Sequence, residues 1–294
     1  MTVNILNGLR EEHKLWPWEE KARQELNENP DATDGLLLDL KEKIKEYSIE
    51  MKNFRPRTDD EFLMAFLRSR KFDLQKTFNG YCKFHKIRLC NPQKIFPVGR
   101  GPKHYSRVYT NPIGTIADRR NPLDGTTVFI WSFRNFDASK DEYEDVFNAS
   151  YQVITELILD PSIQTYGFRF VFDLTGLNYW IVAALLSRFY LNKAILMAQG
   201  SSPMRFKGFH VINGPARATR MVFQAFRPLL PKKMLERVHF HDSCEQLHAF
   251  VSPSILPDTL GGETGPWSGL RLKEAMDQLN DKIVQQTYFG FISL

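Results

Sequence analysis

An α/β sheet with helices packed on it, preceded by a small all-α unit, is the fold this sequence predicts. Two rhythms carry the prediction: helical apolar spacing dominates up to Asn91-Pro92, and strand and helix periods alternate from Thr126 onward. A third observation concerns the stretch from Pro203 to Phe240. It holds eight basic residues against one acid, Glu236, while much of it is apolar.

Taken in order, the N-terminus MTVNILNGLREEHK is too polar, and too soon charged, for a signal peptide. Trp16 to Asn29 has the pattern of a helix, with Pro17 early in it and Asn29-Pro30 closing it. Thr33 or Asp34 can cap a second helix running to about Asn53, with Leu37, Leu40, Ile44 and Tyr47 as its apolar positions. Thr58-Asp59-Asp60-Glu61 has the form of a capping box, opening a helix that turns Phe62, Leu63, Phe66 and Leu67 toward a core. That helix closes on Arg68, Arg70 and Lys71, the sign of charge that suits a helix C-terminus. Another begins after Asp73 and carries Phe78, Tyr81, Cys82, His85 and Leu89 at helical spacing.

From Pro92 to Asp124 the chain is rich in Pro, Gly, Arg and Asn and reads as connection, with one short strand near Gly114 to Ala117. Strands follow at Thr126–Arg134, Gly167–Leu174, Arg205–Asn213 and Arg237–Phe240. Between them come helices at Tyr143–Leu159, about Tyr179–Gln199, and Ala216–Leu230. On the 167–174 strand the alternation of side chains puts Phe168, Phe170 and Phe172 on one face, and on the 205–213 strand it points Arg205 and Lys207 the same way. In the 216–230 helix, Arg217, Arg220, Gln224 and Arg227 form a polar stripe opposite Ala218, Val222, Phe223, Ala225, Phe226 and Leu229. Pro228 and Pro231 end it, and a short following helix sets Lys233 and Arg237 four residues apart on one face. An amphipathic basic helix of this kind is either an ordinary surface helix or a membrane-facing gate, oily inside and basic outside.

Composition narrows the classes of function. The chain has 294 residues and a formal net charge of +5. Residues 1–70 carry 12 Lys+Arg against 15 Asp+Glu, so the positive excess lies in the rest, pointing it toward anionic partners. The 23 phenylalanines are enough aromatic surface to line a cavity as well as fill a core. Three scattered cysteines, Cys82, Cys90 and Cys244, make neither a disulfide framework nor a zinc site, and reduced cytosolic thiols are expected. No apolar run approaches the roughly 20 residues that span a bilayer, so membrane contact is expected to be peripheral.

Five segments together resemble the CRAL-TRIO lipid-transfer family, in particular its branch of alpha-tocopherol transfer protein and cellular retinaldehyde-binding protein. They are DDEFLMAFLRSRKFDL (59–74), VFDLTGL (171–177), PMRFKGFHVINGP (203–215), FRPLLPKKMLERVHFH (226–241) and LPDTLGGE (256–263), in family order and spacing. The resemblance implies the CRAL-TRIO lipid-binding fold: a mixed sheet flanked by helices, with a hydrophobic cavity closed by a mobile lid helix. It divides the chain into a helical domain over 1–92, the lipid-binding domain over 93–265 and a helical extension over 266–294. The lid coincides with the basic amphipathic helix. No catalysis and no cofactor are implied, only a bound hydrophobic lipid moved between membranes by a cytoplasmic, monomeric carrier that associates with them transiently.

Carried over residue by residue, the resemblance places Arg205, Lys207, Lys233 and Arg237 at phosphoinositide headgroups. Two basic pairs can clamp phosphate through charge-assisted hydrogen bonds. For the cavity it proposes Phe133, Ile154, Phe168, Phe170, Phe172, Leu185, Met197, Val222, Phe223 and Phe226, with Glu156 on the same helix as Ile154. Members that carry phosphatidylinositol tend to have an acidic residue after the Pro that precedes the strand. Here it is Met204, which favours a small isoprenoid-like cargo.

Other classes fit less well. There is no G-x-S-x-G for a hydrolase, and Gly99-Arg100-Gly101 does not continue into a dinucleotide fingerprint. His239 and His241 with Asp242 have only weak metal-ligand spacing, so no metal is expected. Basic residues interleave with aromatics at 205–209, as nucleic-acid surfaces require, but they are confined to the lid and its neighbours, and nucleic acid is not expected. A signalling adaptor that reads phosphoinositide without moving cargo is the alternative to a carrier.

Overall fold

The computed structural model describes residues 5–11, 15–90, 94–111, 113–137, 139–178 and 202–291. The helical stretch expected over 179–199, with Leu185 and Met197, lies outside them.

The N-terminal part is helical. It comprises α1 (Ile5–Glu11), α2 (Glu19–Leu26), α3 (Pro30–Glu50), α4 (Asp60–Ser69) and α5 (Leu74–Lys86). Helix α3 starts at Pro30, earlier than Thr33: Asn29 accepts a hydrogen bond from the Asp31 amide, and Pro fits the first helical turn. The capping box at Thr58 does not form. Asp59 is the cap residue of α4, and its carboxylate instead pairs with Arg57 at 2.6 Å. Phe62, Leu63, Phe66 and Leu67 are fully buried against Leu40 and Ile44 of α3 and Tyr81 of α5, as the spacing predicts.

The second part is a five-stranded sheet in the order β2 (Gly114–Ile116), β3 (Thr127–Ser132), β4 (Phe168–Asp173), β5 (Phe206–Ile212), β6 (Val238–His241). Strand β2 runs antiparallel to β3 and the remaining pairs are parallel, so the sheet is mixed. On one face Val128, Ile130, Val171 and Ile212 are sealed by Leu247, Val251, Ile255, Leu256 and Leu260. Helix α6 (Ser106–Thr110), α7 (Tyr143–Leu157) and α8 (Pro161–Tyr166) accompany the sheet. The chain continues with α9 (Ala216–Phe226) and α10 (Lys232–Leu235), then α11 (Cys244–His248), α12 (Leu270–Gln278) and α13 (Asn280–Gln286).

Packing crosses both boundaries at which the sequence was divided. Ile5, Leu6 and Leu9 of α1, and Leu272, Ala275, Met276 and Ile283 of α12 and α13, join the same core cluster as Phe129, Val153 and Phe168. A two-stranded ladder, β1 (Phe54–Arg55) with β7 (Gly290–Phe291), ties the C-terminal segment to the helical block. Two residues per strand are too few for a period to show in the sequence. Arg68 adds a charged joint. It is bidentate to Glu28 at 2.6 and 2.8 Å and hydrogen-bonded to Gln164, with its guanidinium 4.6 Å from the Trp18 ring.

Beneath β5 and β6 lies a directional hydrogen-bond chain. Arg169 pairs with Asp124 at 2.7 Å and lies 3.1 Å from His210 Nε2. A guanidinium only donates, so His210 Nε2 accepts, and Nδ1–H then donates to His241 Nε2 at 3.0 Å. His239 stacks on His210 with ring centroids 5.1 Å apart. Gly208 makes the room: a Cβ there would stand 2.5 Å from His210 Nε2 and 2.7 Å from the Arg169 guanidinium.

Burial, and then the neighbouring Arg169 charge, push His210 down to about 3, and burial lowers His239 and His241 as well. As pH falls below the ordinary histidine value of about 6.5, the unfolded chain takes up a proton that folded His210 refuses. The stability is whole above that value and is lost on the way down toward about 3. Urea unfolding measured between pH 6 and 4 should lose about 1.4 kcal/mol per pH unit on account of His210 alone. His210→Gln should be shallower than the parent by that one proton, and equal slopes would show that His210 titrates normally.

Candidate functional site

Among the described residues, the face of the sheet opposite the histidines is not filled by side chains. A cavity of about 430 Å³ lies between it, α7 and the α9–α10 segment. Trp131, Phe170 and Phe172 form its floor, with Phe206, Phe209 and Val211 of β5 beside them. A register irregularity between Phe168 and Arg169 lets β5 turn both Phe206 and Phe209 inward, three residues apart, which strict alternation forbids. From α7 come Val146, Phe147, Ser150 and Ile154, and from the covering segment Thr219, Phe223, Leu230 and Met234. Phe223 closes edge-on against Phe240 of β6 with centroids 5.0 Å apart.

Few polar groups reach this cavity, and two of them are already engaged. Ser132 donates to Asp173 at 2.8 Å, and Ser150 Oγ accepts from Trp131 Nε1 at 2.9 Å. Among the described residues, Thr219 Oγ1 is buried with no hydrogen-bond partner. The enclosure therefore suits an apolar guest with little hydrogen-bonding capacity.

At the start of β5 lies a cluster of charge. Glu25 of α2 is bonded to Lys21 at 2.6 Å and to Arg205 at 3.0 Å, with Lys207 3.7 Å away. Arg205 also donates to the Thr165 carbonyl, and Arg237 donates to the Phe206 carbonyl. Both guanidiniums are thus held by backbone. Burial, then the Arg205 charge, lower Lys207 and Arg237 from their ordinary values, so these three cations are close enough to repel one another. Burial would raise the Glu25 carboxyl, but hydrogen bonds from Lys21 and Arg205 and the Lys207 charge outweigh it and hold it down to about 2.

Of the residues proposed from sequence, Phe133, Ile154, Phe170, Phe172 and Phe223 are placed in the cavity wall. Phe168 is not. It opens β4 and is 1% exposed within the core cluster beside Met204, and Met204 itself closes that end of the cavity. Glu156 also turns away from the cavity, and its buried carboxylate binds Lys282 at 2.6 Å and Gln286 at 2.9 Å. The side chains of Val222 and Phe226 lie outside the described residues, as do Leu185 and Met197.

Arg205, Lys207 and Arg237 are brought together, whereas Lys233 stands exposed on α10. That helix ends at Leu235, so Lys233 and Arg237 do not share a helical face. Sequence reasoning missed Glu25, whose partner is 180 positions away, and it missed the inward Phe209, which only the irregular register places.

A model of the CRAL/TRIO domain matches residues 121–262, the span that holds β3 to β6 and all of the cavity lining named above. Human Clavesin-2 (Homo sapiens) is 31% identical over 258 residues, covering 84% of this chain and 74% of that protein. Clavesin-1 of Rattus norvegicus is 29% identical over 254 residues, covering 84% of this chain and 69% of its own length. The crystal structure of Sfh5 overlays with a TM-score of 0.47 at 12% identity, over 83% of this chain and 88% of that one. The chain belongs to the CRAL/TRIO family of lipid-binding proteins. Among the described residues no helix is long and apolar enough to cross a membrane.

The close approach that seats Arg205 yields a prediction. Gly167 has φ +81°, and a Cβ there would stand 2.4 Å from the Arg205 carbonyl oxygen, which accepts the Phe168 amide at 2.9 Å. Gly167→Ala should lower stability by at least about 2 kcal/mol, since strain of the left-handed backbone adds to a backbone collision. Gly265→Ala is the control, because φ there is +78° but nothing lies within 4 Å of the added carbon. It should cost about 1 kcal/mol. Equal denaturation midpoints for the two variants would remove the collision from the account.

Proposed function

We propose that this protein is an intracellular carrier of one small hydrophobic lipid, isoprenoid-like and with a single hydrogen-bonding end, which it moves between membranes. The cavity of about 430 Å³ beneath the α9–α10 segment carries the reading. It falls in the size range of small-molecule pockets, and an apolar void of that size costs stability unless a guest restores the lost contacts. The covering segment serves as a lid. Phe223, Leu230 and Met234 face the cavity, while Arg220, Gln224 and Arg227 face water. Met221 and Phe240, 50% and 44% exposed, give the same region an apolar surface that can enter a bilayer interface once the helix swings out.

Phosphoinositide headgroups are the membrane mark that Arg205, Lys207 and Arg237 would recognise, with Lys233 adding charge at the rim. The isoprenoid-like cargo, of the tocopherol or retinoid kind, rests on the resemblance to that branch of the family and on Met204, where an acidic residue marks phosphatidylinositol carriers. Thr219 Oγ1, unpartnered and at the cavity wall, offers a hydrogen bond to the polar end of such a molecule. An adaptor that only reads the headgroup would leave the cavity without a purpose.

One transfer experiment tests both halves. Donor vesicles carry a fluorescent tocopherol or retinoid analogue, and acceptor vesicles are prepared with and without phosphatidylinositol bisphosphate. Transfer by the parent protein should be faster into phosphoinositide acceptors, and the gain should fade with salt, since exposed charge is screened within about 10 Å at 0.1 M. Phe172→Asp should fold and yet abolish loading, because it buries an unpaired carboxylate in the cavity floor. Undiminished loading by that variant would place the cargo elsewhere, and binding to vesicles without any transfer would make the protein an adaptor.

A further inference from the structure

The headgroup site just proposed already contains a negative charge. Lys21, Arg205 and Lys207 surround one carboxylate, Glu25, and Arg237 stands as a fourth cation beside Arg205 and Lys207. Lys21 and Glu25 stand four residues apart on α2, in the helical block, whereas Arg205 and Lys207 belong to the sheet. Glu25 places one oxygen, Oε1, on Lys21, and turns the other, Oε2, to Arg205 and Lys207. A phosphate oxygen bridging the same three cations would occupy the same place.

We infer that the anion site is built across both units, that Lys21 is one of its ligands, and that Glu25 occupies it as a tethered carboxylate which a phosphate of a polyphosphorylated inositol must displace. This inference rests on the headgroup reading given above and adds to it how the site is filled and emptied.

Three observations support the exchange. Four cations face two carboxylates, Glu25 and, beside Arg237, Glu236, so the cluster keeps an excess of two positive charges that attracts a further anion. The cations are prearranged, because backbone carbonyls of Thr165 and Phe206 hold Arg205 and Arg237 whether or not Glu25 is present. The carboxylate itself is 38% exposed and ends a flexible side chain, so it can swing into water without disturbing a core. Since its carboxyl is held at about 2, acid within the physiological range does not empty the site, and a competing anion must.

A tethered carboxylate acts at a high local concentration, so it excludes weak anions and yields to ligands that make several charge-assisted bonds at once. Displacement would also free α2 from the sheet at this point. By reciprocity, whatever loosens α2 would tighten headgroup binding.

The test measures affinity for soluble inositol 1,4,5-trisphosphate, by calorimetry, and for phosphatidylcholine vesicles with and without phosphatidylinositol bisphosphate, by sedimentation. Glu25→Gln should raise affinity about tenfold and Lys21→Ala should lower it about tenfold, the worth of one charge-assisted contact. Glu20→Gln is the control. It removes the same charge from the same helix, but Glu20 is bound to Arg23 at 2.7 Å, outside the cluster. It should change affinity less than about twofold, as an exposed charge already paired with Arg23 does when screened. Glu25→Ala provides a second removal of the carboxylate should the amide itself hydrogen-bond the ligand or disturb folding, which thermal melts of every variant check.

Binding of the soluble trisphosphate alone would assign the site to free inositol phosphates, and binding of both forms to the membrane lipid as well. Either result with the opposed effects of Glu25 and Lys21 supports the exchange. Headgroup binding that is weakened by Arg205→Ala but is unchanged by Glu25→Gln and Lys21→Ala would overturn the inference and leave the headgroup reading standing. Absence of binding in the parent and in Glu25→Gln alike would overturn both.

Discussion

A parallel sheet must be covered on both faces, because its backbone polar groups are satisfied only within the ladder and its side chains are apolar on either side. In this protein one face is closed by α11 and the segment up to Leu260, where Val171 and Ile212 meet Leu247, Val251 and Leu256. Among the described residues the other face is only partly closed. Helix α7 and the α9–α10 segment roof it at a distance, and Phe170, Phe172 and Phe209 are left lining a space instead of filling one. The proposal that the α9–α10 segment is a lid and that the protein is a carrier rests on that face.

The same strand serves two functions. In its middle, β5 turns Phe209 and Val211 to the cavity and His210 to the opposite side, where the Arg169–His210–His241 chain binds β4, β5 and β6 together. At its start, the irregular register after Phe168 carries Arg205 and Lys207 toward α2. Because Gly167 lets β4 begin against the Arg205 carbonyl, the charge cluster is anchored to the sheet and is no loose surface patch. The α9–α10 segment is continuous with it: α10 leads through Arg237, bonded to the Phe206 carbonyl, straight into β6.

Much of this was legible in the sequence because it depends on local periods. The strand faces of Phe170 and Phe172, the buried side of α4 and the two-sided character of α9 all come from spacings of two or three to four residues. Phe168 shares the strand face of Phe170 but sits where the core closes over the strand end, and position along a strand leaves no trace in a period. Glu156 failed for a different reason: a buried carboxylate on α7 finds Lys282 and Gln286 on a helix over a hundred positions later. The β1–β7 ladder, the Glu25 pairings and the histidine chain are likewise contacts between distant segments. Lys233 and Arg237 have the spacing of a helical pair, yet α10 ends between them at Leu235, because its backbone turns there into β6.

The central claim is that an apolar guest completes the unfilled face. Native mass spectrometry of the protein, isolated from cells without detergent, tests it most directly. The account predicts a chain of 34.2 kDa carrying one small apolar molecule of a few hundred daltons, released on gentle activation and recovered in an organic extract. Finding only the bare chain, both as isolated and after incubation with a total lipid extract, would contradict it.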